Sequence, residues 1–397
     1  MKKLFVCVLL GLVILIAPSS LAQEQEDILK ITQDAGYTVD PINRPKASIV
    51  VDADSSQILW QDHIDDLRDP ASMSKMFTLY LLFEDMASGK VSLDTTVTAT
   101  ETDQAISKIY EISNNNIVAG VAYPIKDLIA MTAVPSSNVA TIMIANYLSQ
   151  NNAGAFIDRI NQTAKKLKMT NTHFSNASGA AAVSFKGYYK PQGYDPEAPN
   201  QTTARDLAIL IYHMLDRYPE ILQYTNKLVV KTMVGTPYEE EFHSYNHSLP
   251  GDEYGIPGID GLKTGSSPTG AFNAMVTGQR DGHRVITIVM GVGDWSDQNG
   301  EFYRHPFINA LTEKGFKLLK DQPQARYDHL ISEAQVTTDA PPHAHKHKHK
   351  HEHTNHQNTL LDQIDHIFDR YHNYIAIGLV LFVLVALITI WRTLSRR

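Results

Sequence analysis

The sequence predicts one mixed α/β domain whose first and last elements share a sheet. Three observations support this class: strand-like runs at residues 47–51 and 57–60, helical spacing through the middle of the chain, and strand patterns again after Ile259. With 397 residues, of which 43% are apolar and 20% charged, the chain can bury a substantial core. The formal net charge of −8 argues against a nucleic-acid binder, because no basic surplus exists to replace phosphate counterions.

The N-terminus has the pattern of an export signal. Two lysines precede an apolar stretch over residues 4–17, and small residues ending at Ala22 form a signal-peptidase site. We therefore predict a signal peptide over residues 1–22. The only cysteine, Cys7, lies inside it, so the mature chain would have neither a disulfide nor a thiol nucleophile.

Prolines bound the predicted helices. Pro70 leads into a helix whose apolar residues follow the 3,4 spacing. Pro124 suits the first position of the next helix, and Pro135 ends that helix, because the residue before a proline is steered out of the α region. Further helices are predicted from Asn138 and from near Thr203.

Strand signals return after this helical region. Residues 259–263 are predicted to form a strand, and Asp281-Gly282 is a strong hairpin signal between strands over 272–277 and 284–289. A last helix over residues 298–320 closes the domain. The opening strand pair and these late strands therefore complete one sheet.

Beyond this domain, the composition is that of a tether and a membrane anchor. We assign residues 23–322 to the folded domain and 323–373 to a His-rich linker that ends in an amphipathic juxtamembrane segment. Residues 374–391 form an uncharged run of 18 residues, long enough for a transmembrane helix. The basic tail 392–397 predicts a cytoplasmic end. We expect a single-pass membrane protein whose folded domain lies on the extracytoplasmic face.

The linker contains a run of alternating histidines. Neutral imidazoles in a flexible chain can chelate Zn²⁺, Ni²⁺ or Cu²⁺, although the interleaved lysines oppose a cation. One function left open is therefore a surface metal-binding or adhesive protein, with weak divalent metal binding between His343 and His356. The alternative is a solvated stalk. Elsewhere the histidines show no metal-ligand spacing, so we expect no catalytic metal and no cofactor.

Three short motifs in the folded domain carry the residues of nucleophilic catalysis. They are Ser72-Met73-Ser74-Lys75, Ser136-Ser137-Asn138 and Lys263-Thr264-Gly265. Ser72 and Lys75 are three apart at a predicted helix start, so their side chains share one face. Lys75 can take the proton of the Ser72 hydroxyl if burial and the charge of Lys263 lower its pKa.

The second motif supplies proton transfer and positioning. Ser136 lies between a proline break and a new helix, where its hydroxyl is placed to relay a proton to a leaving amine. Asn138 is expected to hydrogen-bond the amide backbone of a substrate and to fix the position of Lys75.

The third motif suits the end of a peptide substrate. Lys263 and Thr264 on a strand edge match a terminal carboxylate, and Gly265 lets the substrate backbone approach closely. The backbone N–H groups of Ser72 and Ser266 are the expected oxyanion hole.

Together these motifs resemble those of the low-molecular-mass penicillin-binding proteins, the serine D-alanyl-D-alanine carboxypeptidases of peptidase family S11. The match extends from Pro70–Met76 to residues 260–265 and Arg280-Asp281-Gly282, and covers about residues 47–320. The resemblance implies the β-lactamase/transpeptidase-like fold, with an antiparallel sheet flanked by helices and an all-helical subdomain. It also implies removal of the terminal D-alanine from peptidoglycan pentapeptide stems in a bacterial cell wall, and acylation of Ser72 by β-lactam antibiotics.

Two departures from the family pattern bear on substrate preference and rate. Ser137 replaces a glycine common in the second motif, and Ser266 stands where many relatives carry histidine. A class A-like β-lactamase is the other enzyme left open. That class needs a glutamate that activates the deacylating water, and Glu197, with Asn200 three residues later, has the wrong spacing.

Overall fold

The computed structural model describes residues 26–322 and 328–331. They fall within the first of two compact units, Met1–Thr337. The predicted signal peptide, nearly all of the His-rich linker, the predicted transmembrane segment and the basic tail lie outside the described residues. Within the described ranges, no helix combines the length and the apolar character that a membrane span requires.

The strands of the described part form one large sheet and two small ones. They are β1 (Ala47–Asp52), β2 (Ile58–Asp62), β3 (Thr96–Thr98), β4 (Ala122–Pro124), β5 (Val229–Thr232), β6 (Glu240–His243), β7 (Ile259–Ser267), β8 (Ala271–Arg280) and β9 (His283–Val292). The large sheet has the order β2-β1-β9-β8-β7, and every neighbouring pair is antiparallel. Strand β7 therefore lies at an edge.

In the described part, one α-helix precedes β1, seven lie in the sequence between β2 and β5, and one closes the domain. They are α1 (Ile28–Asp34), α2 (Lys75–Ala87), α3 (Glu101–Ser107), α4 (Ile125–Ala133), α5 (Asn138–Leu148), α6 (Ala153–Lys166), α7 (Ala204–Arg217), α8 (Leu222–Thr225) and α9 (Gly300–Asp321). Short 3₁₀ turns precede or join several of them.

Apolar residues lie on both faces of the large sheet, so two cores form. Along β1, Ile49 and Val51 face the core built with α2 to α7, whereas Val50 faces the core built with α1 and α9. This alternation follows from the two-residue period of a strand. The sheet is therefore a buried layer between two layers of helices.

Several sequence predictions are confirmed. The opening strand pair and the late strands share the sheet, and Asp281 and Gly282 join β8 to β9 with φ of 52° and 86°, as a tight hairpin requires. Helix α5 begins at Asn138 behind a Ser137 cap, and the Thr203 hydroxyl caps α7.

Other predictions were wrong in detail. Ser72 lies on a 3₁₀ turn, Ala71–Ser74, and α2 begins only at Lys75. Pro124 is the last residue of β4 and precedes α4 instead of opening it. Strand β7 is longer than predicted and ends at Ser267, because it pairs along its length with β8. Helix α6 and the two small sheets were not predicted.

Candidate active site

The nucleophile candidate Ser72 lies on the tightly held 3₁₀ turn Ala71–Ser74 (the nucleophile turn). Ala71, immediately before Ser72, has a φ of 48°, in the left-handed region that non-glycine residues seldom adopt. The Ser72 hydroxyl points to the first residue of α2, and its Oγ lies 2.9 Å from the Nζ of Lys75. The structure thus brings together the serine and lysine of the first motif.

Lys75 is fully buried and has three hydrogen-bond neighbours. Besides Ser72, its Nζ lies 2.9 Å from Asn138 Oδ1 and 2.8 Å from the carbonyl oxygen of Ser178. The last two atoms can only accept, so they use two N–H bonds of the lysine. A neutral amine then has its lone pair left for the hydroxyl proton of Ser72.

The surroundings of Lys75 favour this neutral form. Burial is the main cause, followed by the positive charge of Lys263, and together they lower the pKa of Lys75 well below its ordinary value. A buried lysine that is neutral and in contact with a serine hydroxyl has the properties of a general base.

Asn138 and Ser136 are held by the loop that precedes α5. The backbone and side-chain N–H groups of Asn138 both donate to the carbonyl oxygen of Ser113, at 2.8 Å each. Ser136 has a φ of 62°, and its buried Oγ has no hydrogen-bond partner among the described residues. A buried hydroxyl without a partner in the protein is suited to hydrogen-bond a bound ligand and to exchange a proton with it.

Strand β7 brings the third motif beside the nucleophile turn. A Cβ built on Gly265 would lie 2.6 Å from the carbonyl oxygen of Pro70 and 2.9 Å from the backbone nitrogen of Ser72. The glycine is therefore required for the approach of strand and turn. Ser266 follows Gly265 in the strand, so this close approach is consistent with the expected oxyanion hole of the backbone N–H groups of Ser72 and Ser266.

Lys263 is buried on this strand. Its Nζ donates to the carbonyl oxygen of Thr264 at 2.9 Å. Burial, followed by the charge of Arg304, lowers the pKa of Lys263 to about 7, and Glu301 partly opposes this shift. Near neutral pH the amine of Lys263 is therefore only partly protonated, and a bound anion would favour its charged form.

Arg304, on α9, belongs to the site although the sequence reasoning missed it. Its buried guanidinium donates from Nη1 to Ser266 Oγ at 3.0 Å and to the carbonyl oxygen of Asn273 at 3.3 Å. Burial lowers its pKa to about 10, and its Nε has no partner among the described residues. No sequence pattern marks this residue, because its position depends on how α9 packs on the sheet.

Lys263 and Arg304 form no ion pair with a carboxylate in the described part of the chain, and Glu301 acts on both only through its charge, without a hydrogen bond. Uncompensated buried cations are unfavourable unless a ligand supplies the negative charge. The cluster therefore fits a carboxylate ligand at the end of β7.

Neighbouring loops hold this arrangement in place. Asn176 Oδ1 accepts from the backbone N–H of Ser178 and Gly179, and Asn200 Nδ2 donates to Ser74 Oγ at 3.0 Å. A Cβ on Gly179 would lie 1.9 Å from the carbonyl oxygen of Ala71. The nucleophile turn is thus enclosed between Gly179 and Gly265.

Arg205 and His173, near the site, make contacts that stabilise the surrounding loops. Arg205 makes a two-pronged ion pair with Asp65, and His173 pairs through its backbone with Gln201. Glu197 is exposed. Among the described residues, no group of three or more acidic, histidine or cysteine side chains has the arrangement of a metal site.

The comparisons with known proteins agree with this geometry. A family model described as D-alanyl-D-alanine carboxypeptidase, Peptidase S11, matches residues 37–294. The chain belongs to this family of serine peptidases.

Two curated relatives illustrate the match. The chain is 23% identical over 339 residues to the D-alanyl-D-alanine carboxypeptidase DacF of Bacillus subtilis. This aligned region covers 85% of this chain and 76% of the relative. It is 27% identical over 281 residues to the D-alanyl-D-alanine carboxypeptidase DacC of Escherichia coli, and this aligned region covers 70% of this chain and 61% of the relative. The chain therefore spans less than two thirds of the length of the second relative.

Solved structures show the same fold. A peptidoglycan synthesis regulatory factor (PBP3) from Streptococcus pneumoniae is similar with a TM-score of 0.63 at 25% identity, over 70% of this chain and 74% of that one. Penicillin-binding protein D2 from Listeria monocytogenes, in its ampicillin-bound form, is similar with a TM-score of 0.55 at 26% identity, over 68% and 97%. The β-lactamase/transpeptidase-like α/β fold, with its antiparallel sheet and helices, is thereby established for this chain.

Proposed function

We propose that this protein removes the terminal D-alanine from peptidoglycan pentapeptide stems through an acyl-enzyme on Ser72, and that penicillins acylate the same hydroxyl. The observation that carries the proposal is the 2.9 Å contact between Ser72 Oγ and the buried Nζ of Lys75. Membership of the S11 family and the ampicillin-bound form of a similar protein support it.

Acylation begins with proton transfer from Ser72 to Lys75. The freed Oγ attacks the carbonyl carbon of the penultimate D-alanine, and the backbone N–H groups of Ser72 and Ser266 receive the negative charge that forms on oxygen. Lys75 then gives up the proton that it took from Ser72, and the hydroxyl of Ser136 relays it to the amine of the departing D-alanine. The C–N bond breaks, an ester remains on Ser72, and Lys75 is neutral again. Water, activated by Lys75, then hydrolyses that ester.

The end of β7 holds the carboxylate of the substrate. Lys263 and Arg304 supply positive charge, and Thr264 supplies a hydroxyl. The bound carboxylate stabilises the cationic form of Lys263 and so raises its pKa from about 7. The substrate chain extends along Gly265, and its amide groups reach Asn138.

The test compares wild type with Ser72→Ala and with the control Ser88→Ala. Ser88 is an exposed serine directly after α2, the helix that Ser72 precedes. Fluorescent penicillin should label wild type and Ser88→Ala but not Ser72→Ala, and D-alanine release from a pentapeptide should follow the same pattern. Equal labelling of all three proteins would exclude Ser72 as the nucleophile.

The two alternatives have less support. A β-lactamase needs a base for rapid deacylation, and Glu197 is exposed, with Asn200 bound to Ser74 and Asn176. We therefore expect a long-lived penicilloyl-enzyme, measured by the decay of label after removal of free penicillin. Weak divalent metal binding by the tract from His343 to His356 stays a proposal that rests on composition. Calorimetry with Zn²⁺ on the peptide 336–358 tests it, and no heat at micromolar metal would end it.

We also propose that the enzyme works at the outer face of the bacterial cell membrane. The export pattern of residues 1–22 and the apolar run 374–391 support this location. In fractionated cells, the full chain should sediment with membranes, whereas a variant ending at residue 322 should be released in soluble form. Sedimentation of both forms would contradict the anchor.

A further inference from the structure

A buried carboxylate ties the nucleophile turn to the end of strand β7. Asp69 is 8% exposed and precedes Pro70. Its side chain accepts from the backbone N–H of Ala71 at 2.8 Å, from Ser267 Oγ at 2.6 Å and from the hydroxyl of Thr269. One oxygen thus bonds the turn and the other bonds the sheet.

The bond to Ala71 sets the conformation that delivers the nucleophile. Ala71 has a φ of 48°, which is unfavourable for an alanine, and an aspartate that accepts from the N–H two residues ahead closes the turn in this region. Ser72 follows directly, so the direction of its backbone N–H depends on that closed turn.

The hydrogen bonds from Ser267 and Thr269 to Asp69 hold the end of strand β7, which carries Ser266. Ser267 is the last residue of β7 and adjoins Ser266, while Thr269 lies in the turn to β8. The side chain of Asn273, on β8, also donates to the backbone oxygen of Asp69 at 3.1 Å. The turn and the strand are therefore fixed to each other by one residue.

We propose that Asp69 is a positioning residue that sets the separation of the two N–H groups of the oxyanion hole, those of Ser72 and Ser266. The inference rests on the proposed acyl-enzyme chemistry. Asp69 has no contact with Ser72 Oγ or Lys75 and acts only through the turn and the strand end. Because the oxyanion exists in the transition state and not in the bound substrate, loss of this tie lowers the acylation rate and leaves KM nearly unchanged.

Three variants distinguish a role of Asp69 in positioning the oxyanion hole from a role in the stability of the fold alone. Asp69→Asn leaves a single accepting oxygen, so the turn and the end of β7 can no longer both donate to this side chain. Thr269→Val removes one hydroxyl with little change of shape at an exposed turn. The matched control is Asp85→Asn. Asp85 is a buried carboxylate near the far end of α2, paired with Arg159 and Lys90, and it has no contact with the site. Its loss should lower Tm without a change in acylation.

For each variant, the acylation rate with ampicillin, the affinity for a D-alanine-like boronic acid, KM for a pentapeptide and Tm are measured. A boronic acid forms a tetrahedral anion on Ser72 and so reports the oxyanion hole. We expect Asp69→Asn to slow acylation and weaken boronate binding about tenfold or more, with a smaller loss in the same direction for Thr269→Val. KM should change less than twofold in both.

Two results would overturn the inference. One is unchanged acylation and boronate affinity in folded Asp69→Asn; if that variant fails to fold, unchanged values in Thr269→Val decide instead. The other is a loss of acylation in Asp85→Asn that matches the loss in the Asp69 variant at equal Tm. Failure of the proposed function is read separately, because wild type would then show no labelling of Ser72 at all.

Discussion

The guanidinium of Arg304 donates a 3.0 Å hydrogen bond to the hydroxyl of Ser266, one residue beyond the Lys-Thr-Gly motif. Helix α9 thereby adds a second cation to the carboxylate end of the site. The hydroxyl of Ser266 and the buried guanidinium of Arg304 therefore lie together beside the Lys-Thr-Gly motif.

Arg304→Met should mainly weaken substrate binding. Loss of a charged hydrogen-bond donor to a carboxylate costs about 1.5–3 kcal/mol, so kcat/KM should fall by about ten- to a hundredfold. The same substitution should have little effect on a peptide whose terminal carboxylate is amidated. An equal loss with both peptides would assign Arg304 a role in folding of the site instead of carboxylate binding.

The pH profile of kcat/KM should have two limbs with different origins. Lys75 must be neutral to accept a proton, so activity should fall as pH falls through its lowered pKa. Lys263 must be charged to hold a carboxylate, so kcat/KM should fall as pH rises through about 7 in the free enzyme. In kcat, the alkaline limb should lie at higher pH, because bound carboxylate raises the pKa of Lys263.

Lys263→Arg provides the matched variant for the alkaline limb. Arginine keeps its charge throughout the accessible range, so this limb should disappear while the acid limb stays. Steady-state rates of D-alanine release from pH 5 to 10 decide the matter. An alkaline limb that persists in the arginine variant would show that another group titrates there.

Replacing Lys263 by methionine should stabilise the protein while abolishing its activity. A buried cation with no carboxylate partner opposes folding, and its removal should raise the free energy of unfolding by about 1–3 kcal/mol at pH 7. Between the folded pKa of about 7 and the ordinary value of 10.5, the unfolded wild type binds more protons, so wild-type stability rises with pH. The difference between variant and wild type should therefore shrink from pH 7 to pH 10 in urea unfolding, and a constant difference would contradict this account.

Gly179→Ala should be far more damaging than a glycine substitution elsewhere with a similar φ. The new Cβ would lie 1.9 Å from the carbonyl oxygen of Ala71, with φ at +92°, so the nucleophile turn would have to move. We expect a loss of about 3 kcal/mol or more. Gly120→Ala, with φ of +82° and open space around it, should cost only about 1–2 kcal/mol. Thermal unfolding of the two variants makes the comparison, and equal Tm values would refute the steric argument.

The sequence could predict those parts of the fold and site that depend on local spacing. The Ser72–Lys75 pair is three residues apart, and the Asp281-Gly282 hairpin needs only its two turn residues. Helix α6 has a local signature of the same kind, because Phe156, Ile157 and Ile160 have helical spacing.

The parts that could not be predicted depend on packing between distant segments. The 3₁₀ turn at Ser72 arises where Gly179 and Gly265 press on it from two sides. Arg304 becomes part of the site only because α9 lies across the sheet. Neither contact has a signature in the residues around it, since both are set by tertiary structure.

The proposed catalytic groups come from the turn before α2 and the start of that helix, the start of α5 and the edge strand β7, and they meet only when the sheet and the helices are packed together. In an unfolded chain, Lys75 is an ordinary protonated amine in water and Ser72 an ordinary alcohol. Reaction with penicillin is therefore a reporter of the native state itself. A denaturant titration followed by penicillin labelling should trace the same transition as circular dichroism, and the nascent chain should be chemically inert until its last strands have joined the sheet.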